Sequence, residues 1–524
     1  MRNNSNFISV FTGLMLTVTI VSCDKILDTK PRDFVAVDTY YKTKTDISNA
    51  IAGIYSNFTT TNMYGSNFIY DLSIGNDEAY FRGSTSVAII GVRVQNVNSS
   101  DPNVAGAWNS IYACIDRTNN LLAALPESPV DEIIKKSSRS EALFLRGLLY
   151  FLLADNWGNV PLRLKPTTST LDADFPQSVP KDIFDQITSD LIEAEQGLPT
   201  ITELGATGSG RPSKSAVQGL LARVYLTMAG KPLNDISKFQ DAKMWAAKTI
   251  TSNLHSLNPD YRQIFINQSQ DKYDIKESIF EIEFKNDPTG ANPLNGFGRV
   301  GYVNGIKCDD LDTGGCNGQV SGTKKLYDLY ENNDVRRNWN IAPYGYTAGS
   351  PASRVNYTAT QIWDRWPGKW RRSFEVAIPK HRINNGTNFP IIRYADILLM
   401  YAEAENELNG PTSEAFNAVN LVRIRAGASA VNLTTIPSKL AFRNMIIDER
   451  MRELCFENLR THDLKRWGIF ISTMKVLAAD IIANAPANFR YAALAGNNVS
   501  DKNLLLPIPV GEFINKKIIQ NTGY

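Results

Sequence analysis

The chain has 524 residues, 43% hydrophobic and 21% charged, an ordinary globular composition that gives no reason to expect disorder. Its formal net charge is +2, with acidic and basic residues interspersed. No broad field is therefore available to attract an anionic lipid surface, and nucleic acid is excluded as a partner class.

The N-terminus reads as a targeting segment and not as part of the fold. Arg2 supplies a short positive region, and Phe7 to Ser22 is uncharged and largely apolar. That run has the length of a signal-peptide core and is short for a membrane span. It ends in Ile20-Val21-Ser22-Cys23, which resembles a bacterial lipobox, so residues 1–22 are expected to be a lipoprotein signal peptide and Cys23 the lipidated residue. Acyl chains hold a protein at a bilayer because each buried methylene contributes ~0.8 kcal/mol. The remainder, residues 23–524, reads as a single domain without a membrane span.

Most of that body has helical periodicity. Asp46 to Phe58 opens with an N-cap candidate, Asp46, and sets Ile47, Ile51, Ile54 and Phe58 on one stripe. Trp108 to Leu125 continues the pattern, and Ser140 to Asp155 is apolar nearly all round, as in a helix buried between neighbours. Ser213 to Met228 pairs with Phe239 to Ile250, with small residues such as Gly219 and Ala246 permitting close approach. Tyr394 to Leu408 pairs with Ser413 to Arg425 in the same way, around Ala402 and Ala418. Small residues alternating with bulky ones over helix pairs match a loose tetratricopeptide pattern. Glu277 to Phe284 alternates with the period of a strand. Ile446 to Trp467 reads as one charged helix, its Glu449, Arg450, Arg452, Glu453, Glu457, Arg460, Asp463 and Arg466 pairing along it as a structural ion network.

Two stretches, roughly 73–102 and 286–390, are rich in Gly, Asn, Thr and Pro. Long irregular segments on a rigid frame are where binding surfaces sit. Within the second, Cys308 and Cys316 flank a short polar loop and are candidates for a disulfide in an exported protein. A cation site using Cys308, Asp309, Asp310 and Asp312 is the alternative, without an EF-hand register or a His partner. Cys114 and Cys455 sit in apolar helical patterns and read as buried thiols.

The motifs together resemble the SusD-like (RagB/SusD) nutrient-binding lipoproteins of the Bacteroidota outer membrane. After the lipobox comes ILDTKP, with Leu27, Asp28 and Pro31; then WNSIYACIDRTNNLL, SEALFLRGLLYFLLADNWGNVPL, GRPSKSAVQGLLARVYLTMAG, RYADILLMYAEAENELNG and VNLVRIRAG. IIDERMRELCFENLRTHDLKRWG and a terminal LLLPIPVGEFINKKIIQNTGY complete the order. Gly147 stands where Ala is commoner, and Thr522 where Pro is usual. The resemblance implies a mostly α fold of tetratricopeptide-like pairs with loop-rich insertions and a few short strands. It also implies a lipid-anchored, surface-exposed outer-membrane protein that captures an oligosaccharide or polysaccharide for a SusC-like TonB-dependent transporter. A peptide or glycopeptide ligand is the alternative within the family, and a carbohydrate-active enzyme is the alternative outside it.

No cofactor and no catalytic constellation is expected. The three histidines, His255, His381 and His462, are far apart, with no second ligand at metal spacing. No nucleophile elbow, phosphate loop or HExxH helix occurs. Sugar recognition sets aromatic faces against pyranose rings, with polar groups bonding the hydroxyls. The insertions supply Asp77, Tyr80 and Phe81, then Phe297 and Tyr302, then Trp339, Tyr344 and Tyr346, then Trp363 and Trp366. Trp370 follows Lys369 in a family pattern that implies a structural aromatic.

Overall fold

The computed structural model describes residues 40–83, 91–169, 175–285 and 298–524. The expected signal peptide (residues 1–22), Cys23 and Phe297 lie outside the described residues.

Among the described residues the frame is built of α1 (Lys44–Phe58), α2 (Pro102–Ala124), α3 (Glu132–Trp157), α4 (Pro180–Gly197), α5 (Lys214–Ala229), α6 (Lys238–Thr251), α7 (Tyr394–Asn409), α8 (Ser413–Arg425), α9 (Lys439–Leu454), α10 (Arg460–Arg466) and α11 (Phe470–Asn484). From α1 to α8 each helix packs on the next, including α6 on α7 although 142 residues separate them in the chain. The irregular stretch 252–393 thus leaves the helical stack and returns to it without interrupting the stack.

Local chemistry explains the helix ends. Asp46 is not the N-cap of α1. Thr43 caps, its hydroxyl accepting from Asp46 N–H (3.1 Å) while the Asp46 carboxylate accepts from Thr43 N–H (2.8 Å) in a capping box. α3 stops at Gly158, where φ is +72° and a Cβ would stand 2.9 Å from Leu505. That contact belongs to the C-terminal segment, which is clamped onto α3. Trp157 Nε1 donates to Pro507 O (3.1 Å), and Asn521 Nδ2 donates to Trp157 O (2.9 Å). Gly147 has a packing reason too: a Cβ there would lie 2.9 Å from Leu191 of α4, so the small residue lets α3 and α4 close.

Among the described residues eight strands pair in twos, all antiparallel: β1 (Ala79–Phe81) with β5 (Val320–Gly322), β2 (Val160–Pro161) with β3 (Gln177–Ser178), β4 (Ser278–Ile282) with β8 (Phe389–Arg393), and β6 (Tyr344–Tyr346) with β7 (Arg354–Asn356). All five residues of β4 are buried, so the alternation in its sequence does not mark a solvent face. The insertions are likewise not structureless, holding short helices and strands that pair with each other through β1 and β5.

The charged segment departs furthest from its sequence reading. It is two helices, α9 and α10, separated by a turn in which Phe456 and Asn458 take φ of 65° and 59°. Its charges form a structural network, but mostly across elements. Glu453 receives Arg336 (3.0 Å), Arg393 (3.2 Å) and Arg425 (2.6 Å), and Glu457 receives Lys369 and Arg393. Arg450 bridges Asp396 and Asp463, each at 2.7 Å. Burial alone would raise these carboxyls; Arg425, Arg393 and Arg336 outweigh it and hold Glu453 down at about 2.

Candidate ligand face

β1 and β5 fix the first part of the face. Tyr80 stands opposite Ser321, and Arg82 N–H continues the ladder to Gln319 O (2.8 Å). The Tyr80 ring lies 6.1 Å from Trp363 and 6.3 Å from Tyr491, and Trp363 stacks on Phe489 at 6.1 Å. Segments near residues 80, 363 and 490 thus build one aromatic cluster.

The β6–β7 hairpin fixes the second part. It sets Tyr346 opposite Arg354, closed by Thr347 N–H donating to Ser353 O (2.9 Å). Tyr344 meets Tyr346 edge-on at 5.6 Å and packs with Trp366, whose Nε1 donates to the Tyr357 hydroxyl (3.1 Å). Trp339 lies beside Phe374 at 5.9 Å.

Arginines cover these rings. The Arg82 guanidinium is 3.7 Å from the centre of Trp366 and 5.4 Å from Phe489, which joins the two clusters. Arg371 lies 3.9 Å over Trp339 and 5.4 Å from Tyr344, and Arg354 sits 4.6 Å from Tyr344. Arg365 and Arg337 both face Tyr327, at 4.9 and 5.6 Å. A small depression is lined by Tyr346, Arg371, Ser373, Ile306 and Thr313.

The structure therefore brings together Tyr80, Trp363, Trp366 and Tyr344, with Trp339 on the edge of the main core and joined to them through Arg371, but as a floor. Each is buried, at 3–8% exposure, and its ring faces neighbouring rings or guanidiniums. The half-buried rings at the rim are Tyr346, Tyr357 and Tyr491. Tyr302 and Phe81 are not part of this assembly; both pack on the main core, Phe81 under Arg93 at 4.5 Å. Asp77 has no exposed surface. Both its oxygens are taken by Arg460 and one also by Lys325, each contact at 2.7 Å. Burial would raise its carboxyl, but Arg460 and Lys325 hold it at about 2, so Asp77 anchors α10 to the first insertion and is removed as a ligand group.

Trp370 is fully buried, its Nε1 donating to Gln268 Oε1 (2.8 Å), as the family resemblance implies. Cys308 and Cys316 are separate buried thiols, not a disulfide, and face each other as a bridge with both backbone hydrogen bonds made (3.3 and 2.9 Å). Hydrogen-bonded antiparallel pairs hold their residues farther apart than the alternate pairs do. Asp310 is used internally, accepting from Thr313 and Ser350, and among the described residues no His, Cys, Asp and Glu cluster has metal-site geometry.

The sequence reading missed Arg82, Arg354, Arg365 and Arg371, and the rim residues Tyr357 and Tyr491. Tyr357 follows a polar run and carried a signal only by lying in the second insertion. Tyr491 lies outside both insertions and carried none.

Residues 276–524 match the model of the SusD family, and residues 25–226 match a model described as starch-binding associating with outer membrane. The chain belongs to the SusD-like family. Among relatives, SusD-like protein P2 of Formosa agariphila is 27% identical over 98% of this SusD-like chain and 99% of its own. A crystal structure of a SusD homolog from Bacteroides thetaiotaomicron superposes with a TM-score of 0.85 at 28% identity, covering 93% of this chain and 98% of that one. The surface glycan-binding protein A of B. thetaiotaomicron, in complex with laminarihexaose, shares the fold at 21% identity, with a TM-score of 0.69 over 91% of this chain and 99% of that one.

Proposed function

We propose that this protein is a lipoprotein of the outer membrane, anchored through Cys23, that captures a glycan at the cell surface and passes it unaltered to a TonB-dependent transporter. The observation that carries the reading is the face just described. Rings from four separated segments, near residues 80, 340, 365 and 490, converge on one side of a rigid helical frame. Tyr346, Tyr357 and Tyr491 offer the rim an apolar surface for pyranose rings, and arginines beside them donate hydrogen bonds to hydroxyl and carboxyl oxygens. The outer-membrane description of the N-terminal family model and a similar fold solved with laminarihexaose support the same reading.

Calorimetry against neutral and acidic glycans, beside a peptide mixture, tests it. Saturable binding of a glycan whose chain length is unchanged after incubation is expected. Shortened products would make the protein an enzyme, and binding of peptide alone would make it a peptide receptor. Replacing Cys23 by Ala should move the protein from the membrane to the soluble fraction and abolish labelling by a radioactive fatty acid.

A further inference from the structure

The arginines of the face are unlike those of the frame. In the frame, each of Arg336, Arg393, Arg425, Arg450, Arg460 and Arg466 has a carboxylate within hydrogen-bonding distance. On the face, the five guanidiniums of Arg82, Arg337, Arg354, Arg365 and Arg371 have one recorded carboxylate among the described residues, Asp364, at 4.0 Å from Arg82.

Their other partners are neutral. Arg371 donates to the carbonyls of Gly368, Asn338 and Trp339, and Arg337 to Asn332. Arg365 donates to Thr358 O, while its Nε and Nη1 are buried without a partner, although the residue is only 4% exposed. Trp339 Nε1, beneath Arg371, is a further buried donor with no acceptor. Burial, and after it the neighbouring Arg354, pull the Arg371 guanidinium below the usual arginine value, so positive charge is concentrated there against its own cost.

A buried charge or donor left unmatched costs free energy unless something completes it. What is missing is negative charge with acceptor oxygens. A planar guanidinium stacked on a ring holds its N–H edge fixed, which suits bidentate capture of a carboxylate or sulfate. We propose that the glycan this face takes is anionic, carrying uronate carboxylates or sulfate esters that sit among Arg82, Arg354 and Arg371 while its sugar rings lie on Tyr346, Tyr357 and Tyr491. The inference rests on the glycan-capture reading and narrows its substrate class.

The test is calorimetry on the mature chain with polymers matched except for charge: dextran against dextran sulfate, and a neutral β-glucan against polygalacturonate, each at low and high NaCl. At least one acidic polymer should bind about tenfold or more tighter than its neutral counterpart and weaken at high salt, as expected for charge-assisted bonds. The sulfate and uronate arms identify which anion is read. Arg354→Gln, on the exposed hairpin strand, should reduce that affinity about tenfold with an unchanged melting temperature, as should Arg82→Gln. Arg139→Gln, on α3 at an exposed pair with Glu193 of α4, should leave it unchanged. Equal loss in Arg139→Gln would reveal non-specific polyanion binding and overturn the proposal. Neutral polymers bound as tightly as acidic ones, indifferent to Arg354→Gln, would overturn it and leave glycan capture standing. Binding to no polymer of either kind would overturn glycan capture and this inference together.

Discussion

The buried network around α9 and α10 and the aromatic face over β6 and β7 are both built on arginine, and they treat it in opposite ways. In the network, Arg393 is 1% exposed and meets Glu277, Glu453 and Glu457, so its desolvation is offset by three carboxylates and by directed hydrogen bonds. On the face, Arg371 is bonded to backbone carbonyls and laid on Trp339, with no carboxylate partner among the described residues. A complete set of partners fixes geometry, and an incomplete set stores capacity for a ligand. One region holds the frame in register; the other uses the frame to hold charges that the protein itself does not neutralise.

If that contrast is right, substitutions in the two regions should separate stability from affinity. The largest effect is expected for Arg393→Met, which takes one buried cation away from Glu277, Glu453 and Glu457 together and leaves them to Arg336, Arg425 and Lys369. Breaking a buried pair from one side costs about 3–5 kcal/mol, and the urea midpoint should fall accordingly. A change of under 1 kcal/mol would mean that the network is wet and loosely held.

Acid should attack the same region next. Asp77, Glu453 and Asp463 are each held at about 2 in the folded protein, burial being outweighed by their arginines. Their unfolded values lie near 4, so the stability they contribute is complete above about pH 4 and is lost as pH falls from there toward 2. The apparent melting temperature should drop steeply across that interval, and less so in Arg393→Met, where Glu453 has already lost a partner.

Rim residues on the face should behave oppositely. Tyr346→Ala and Tyr491→Ala remove half-buried rings and are expected to weaken glycan binding about tenfold, or 1.4 kcal/mol, with little loss of melting temperature. Trp363→Ala, beneath them and packed between Tyr80 and Phe489, should instead lower the melting temperature, since emptying a buried Trp site costs about 3–5 kcal/mol. If Trp363→Ala lowered affinity with stability intact, the floor and rim would have to be exchanged.

The same contrast explains what was legible in the sequence. Helical pairs show themselves because burial against a neighbour imposes a local period, so the spans around 214–229, 394–409 and 413–425 could be read to within a residue or two. Glu449 and Glu453 were readable as structural charges, but not their partners. Arg336 and Arg393 approach from segments 60 to 117 residues away, and spacing along one helix carries no trace of them. The turn between α9 and α10 escaped notice because Phe456 and Asn458, not glycine or proline, take its left-handed positions. On the face, loop aromatics pointed to Trp339, Trp363 and Trp366, yet the sequence does not show that Arg82 and Arg371 lie on two of those rings. Tyr491 joins from the far end of the chain, where only the fold could supply the neighbourhood.

The last test concerns a carboxyl that sits at the edge of both regions. Glu78 directly follows Asp77 and precedes β1, and its Oε1 accepts from the Phe456 N–H (2.9 Å) while Oε2 is buried without a partner. Burial raises its carboxyl to about 8, more than the Phe456 N–H and Arg460 can offset. Its folded value is thus above its unfolded value near 4.3, so folding takes up a proton; the contribution is whole below about pH 4 and drains away as pH rises to about 8. Glu78→Gln keeps the acceptor for Phe456 and cannot ionise. Its melting temperature relative to the parent should therefore climb between pH 5 and pH 8 and level off above that. A flat difference across that range would mean that the Glu78 charge is met in the folded protein, and that Asp77, Glu78 and Arg460 belong wholly to the neutralised frame.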